Sequence, residues 1–105
     1  MATRYWVGGA GTWDATTTTN WSATSGGASG ASAPTSVDNV IFDSSSNATA
    51  YAVTVGTNAN AQDITIAGPA VGNVTITWSA TSVINCYGSW TNAATGVVLS
   101  TSSGC

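Results

Sequence analysis

The chain has 105 residues, the length of one domain, and only 5% of them are charged, against about 25% in ordinary globular proteins. Arg4 is the sole cation, Asp14, Asp38, Asp43 and Asp63 are the anions, the net charge is −3, and Lys, Glu and His are absent. This excludes imidazole base catalysis and His metal ligation, lysine Schiff bases and P-loops, electrostatic nucleic-acid binding and a polybasic membrane patch.

The strongest helix formers are nearly missing, with Leu99 the one Leu and Met1 the one Met. Thr, Ser, Gly, Ala, Asn, Val and five Trp stand in their place, residues of strands and turns. Ile, Leu, Val and Phe make under a fifth of the chain, which implies a thin core. The five Trp and a mean hydropathy of +0.18 argue for folding rather than disorder. A thin core with two Cys needs reinforcement from outside, so a homo-oligomer, with a trimer as the order considered, or attachment to a larger assembly is expected.

Residues 1–22 form an aromatic segment carrying Tyr5, Trp6, Trp13 and Trp21 among Gly8, Gly9 and Gly11. Tyr5-Trp6-Val7 reads as a short strand, Gly8-Gly9 as a turn and Thr12-Trp13-Asp14 as a second extended piece. The β-branched run at 16–19 opposes helix. Residues 23–36 are a Ser/Gly/Ala-rich loop with little to bury, expected as a surface excursion or a link.

Residues 37–105 read as strand repeats. Apolar runs recur at Val40-Ile41-Phe42, Tyr51–Val55, Ile64–Ile66, Val74–Trp78, 83–87 and Val97-Val98-Leu99. Larger side chains alternate with Ala and Thr, so each strand has one buried and one polar face. Gly56-Thr57-Asn58-Ala59-Asn60, Ala67-Gly68-Pro69 and Val71-Gly72-Asn73 read as the turns between them. The expectation is a single all-β domain over 1–105, the start of a β-solenoid with an aromatic N-terminal cap or anchor, or alternatively a β-sandwich or jelly roll. Asn-Gly and Asp-Gly hairpin signals are absent, which favours the solenoid.

Trp6-Val7-Gly8-Gly9-Ala10-Gly11-Thr12-Trp13-Asp14, followed by Asn20-Trp21, resembles the opening of autotransporter-type β-repeat proteins and phage tail fibre or virion β-helix proteins. Residues 34–43 are similar to the segment entering the first strand of such proteins, and 84–91 to a later rung, a strand, a Gly and a second short strand. The resemblance implies an N-terminal part that anchors or caps, with a β-helix following it.

Asp38 and Asp43 flank an apolar triplet and are the one carboxylate pair to weigh for glycoside hydrolysis. Their simpler role is to bond local backbone where a strand starts and stops; Asp63 reads as a turn residue. No catalytic residue, cofactor or metal is assigned, and no EF-hand or Gly-rich nonapeptide repeat is present for calcium. Cys86 reads as a small buried hydrophobe, with a bridge to Cys105 as the alternative. Trp78 and Trp90 read as core. Tyr5, Trp6, Trp13 and Trp21 divide between internal packing and contact with a partner chain, since Trp and Tyr anchor interface centres.

Met1-Ala2-Thr3-Arg4-Tyr5-Trp6 lacks the charged and apolar regions of a signal peptide, yet the composition suits life outside a cell. The leading expectation is a non-enzymatic phage virion structural protein: a tail fibre, spike or head decoration that self-assembles and docks to capsid or tail. The alternative is a carbohydrate-binding or adhesin module of a bacterial surface protein, extracellular or on the cell surface, with a glycan as its partner.

Overall fold

The computed structural model describes residues 2–56, 59–69, 71–78, 83–92 and 97–101, with the backbone alone at 78 and 97–101. Among the described residues there are eleven strands and no helix, so the protein is all-β. They are β1 (Thr3–Trp6), β2 (Gly11–Trp13), β3 (Trp21–Ser22), β4 (Asn39–Phe42), β5 (Tyr51–Val55), β6 (Ala59–Ala61), β7 (Ile64–Ile66), β8 (Val74–Trp78), β9 (Ile84–Cys86), β10 (Trp90–Asn92) and β11 (Val97–Thr101).

Three sheets hold them, in the orders β10-β7-β4-β1-β3, β11-β8-β5-β2 and β6-β9. From β4 onward each strand pairs in parallel with the strand three places later: β4 with β7, β5 with β8, β6 with β9, β7 with β10 and β8 with β11. The one antiparallel pairing, among the described residues, is β1 with β3.

In-register parallel pairing sets like residue over like. Val40, Ile64 and Trp90 form one column, and Val53 and Ile76 another. Strand β5 shows why the alternation works: Tyr51, Val53 and Val55 are buried while Ala52 and Thr54 are exposed. Thr12, Thr54 and Thr77 stand in register on the outer face of the second sheet, all exposed.

Ala59 and Asn60, expected at the end of a turn, instead form a strand with Ala61 in which both alanines are fully buried. Two small side chains fit where the chain turns inward, and they carry no bulky signal that sequence patterning reads. The 23–36 loop also differs from its expectation. Ala33 and Pro34 are buried and Ala31 packs against the core, its amide donating to the Trp21 carbonyl at 3.0 Å, so the end of this loop is tied to β3 and lies on the core.

Candidate functional site: the aromatic N-terminal end

Trp6, Trp13, Trp21 and Phe42 form one interior cluster, each with no exposed surface. The Trp6 and Trp21 rings meet edge to face with centroids 5.0 Å apart, and Trp6 stacks on Phe42 at 5.4 Å. Trp13 approaches Trp21 at 5.6 Å and Phe42 at 5.7 Å. Each such pair adds about 0.5–1.5 kcal/mol beyond area burial.

The Trp6 indole donates to the Gly9 carbonyl at 2.7 Å. The Trp13 and Trp21 indole N–H groups are buried without a hydrogen-bond partner. An unmet donor costs about 1–3 kcal/mol. Burying about 150–250 Å² of Trp surface, at about 25 cal/mol per Å², gains roughly 4–6 kcal/mol. Burial wins, and the aromatic cluster is net stabilising even with two unmet donors.

The spacing of the Gly-rich motif has a local cause. Gly8 and Gly9 adopt φ values of 84° and 76°, the left-handed region that glycine enters freely. A side chain on Gly11 would overlap the Asn20 carboxamide. That carboxamide donates to the Val7 carbonyl at 2.7 Å, while the Val7 amide donates to the Asn20 carbonyl at 2.8 Å. The glycines thus admit Asn20, and Asn20 ties the start of the chain to β3. Arg4 holds the 23–36 loop from the other side, donating to the Ser32 carbonyl at 2.9 Å and the Ser32 hydroxyl at 2.8 Å.

Of the four residues weighed as a partner interface, Trp6, Trp13 and Trp21 take the internal-packing alternative, while Tyr5 is half-buried. Trp90 is partly buried against the core, and its indole donates to the Asn92 side chain at 2.6 Å. The Trp78 side chain and Cys105 lie outside the described residues, so the core reading of Trp78 and the Cys86–Cys105 pairing fall there too.

The carboxylates sit at turns. Asp38 accepts from the Ala2 amide at 2.9 Å and from the Thr35 amide and hydroxyl at 2.9 and 3.0 Å. Burial pushes its carboxyl up, but these hydrogen bonds and the Arg4 charge outweigh it and hold it below the ordinary value. Asp14 behaves alike: burial raises it, and the Thr17 and Thr16 amides more than reverse that. Asp43 accepts from the Ser45 amide at 2.9 Å and the Ser25 hydroxyl at 2.7 Å. Asp63 accepts from the Ser89 amide at 2.8 Å. Among the described residues, no three Cys or Asp side chains gather as metal ligands would.

Tyr51 is a buried polar group that patterning took for an ordinary strand residue. Burial pushes its phenol up to about 12, and the Asp43 carboxylate adds to this while nearby Ser46 opposes it. Ser46 lies close enough to act on the charge, but the Tyr51 hydroxyl makes no hydrogen bond of good geometry. Tyr87, by contrast, is 64% exposed.

Comparison of the chain with models of protein families, with curated proteins and with solved structures found no match in any of the three.

Proposed function

We propose that the chain is the capped opening of a parallel β-solenoid and serves as a non-enzymatic structural protein of a phage virion, in a tail fibre, spike or head decoration. One observation carries this reading: a tryptophan-filled N-terminal end followed by parallel strands that pair in register three places apart. A sandwich or jelly roll is built from antiparallel neighbours, and among the described residues only β1 and β3 pair that way. The solenoid arrangement supports a structural role, since stacked strands make a stiff element whose outer faces are free to pack. With 5% charged residues, recognition rests on shape and backbone hydrogen bonding.

The test is proteomic and positional. Mass spectrometry of purified particles should detect the chain, and immunogold labelling should place it at one fixed site on them. Its absence from every particle whose genome encodes it would overturn the virion role.

A second reading, a carbohydrate-binding or adhesin module, draws support from two aromatic side chains that keep exposed surface, Tyr87 and, in part, Trp90. Aromatic faces stack on sugar rings. A glycan array with signal that disappears on Tyr87→Ala would favour it, and an array with no signal would end it.

A further inference from the structure

We draw no further inference here: the strongest candidate, the column of exposed Thr12, Thr54 and Thr77 on the outer face of the second sheet, is an unpartnered sheet face, and nothing in the structure shows what covers it.

Discussion

Single side chains in this protein are held by hydrogen bonds to backbone far more than by charge. Asp38 shows it best, since its carboxylate joins the chain start to the turn before β4. Asp38→Ala should cost about 2–3 kcal/mol, as hydrogen bonds to a charged acceptor are lost, and urea denaturation would measure it. Because Asp38 and Asp14 are held below the ordinary value, their stabilisation is full above about pH 4. It is lost as pH falls through their folded values. Denaturation midpoints should therefore drop on acidification, and by less in Asp38→Asn. Tyr51 has the opposite sense. Its phenol is raised to about 12, so stability falls as pH climbs from about 10, where the unfolded phenol ionises, through that value. Tyr51→Phe should remove this alkaline loss and leave stability at neutral pH unchanged or up to about 1 kcal/mol higher, since the buried hydroxyl has no partner.

The strands themselves were largely readable from alternation. Tyr51–Val55, Ile64–Ile66 and Val74–Trp78 appear with the bounds that the pattern of large and small residues implies. The alternation is physical, because half of each strand must meet the core. What patterning missed has equally physical causes. Ala59-Asn60-Ala61 is too small-sided to signal a strand, and the burial of Ala33 and Pro34 is set by where the folded chain places them and not by their local pattern. The aromatic end was legible as a cluster but not as an interior, because Trp suits a core and an interface equally well. Nor could spacing alone show that Gly11 exists for Asn20. Gly11→Ala should destabilise by about 1–3 kcal/mol through overpacking. In a double-mutant cycle with Asn20→Ala the two losses should sum to more than the double variant shows, since removing the carboxamide makes room for the new methyl. Fully additive losses would refute the contact. Trp13→Ala should cost about 3–5 kcal/mol from the cavity it opens, which thermal melts followed by Trp fluorescence would register.

At the scale of the whole molecule, the shortage of charge predicts indifference to salt. Debye screening acts on charged pairs, and the chain has one cation to offer them. Its melting temperature should therefore move little between low and moderate sodium chloride, and any self-association should keep its strength. A marked salt dependence would point to a charged partner surface that this chain does not contain. The antiparallel β3 carries a consequence of another kind, in the order of events during synthesis. Trp6 lies opposite Trp21, 15 residues on, whereas Thr3 waits for Asn39 and Gly11 for Val53. The shorter loop closes at lower entropic cost. A chain emerging from the ribosome can lay down this hairpin first, with the ring contact between Trp6 and Trp21 as its seed. From β7 onward each strand then joins an edge already in place, one step of 23–26 residues at a time. The small reversed strand is thus a starting block for growth in one direction, and a nascent chain lacking Trp21 would have its first pairing delayed until β4 arrives.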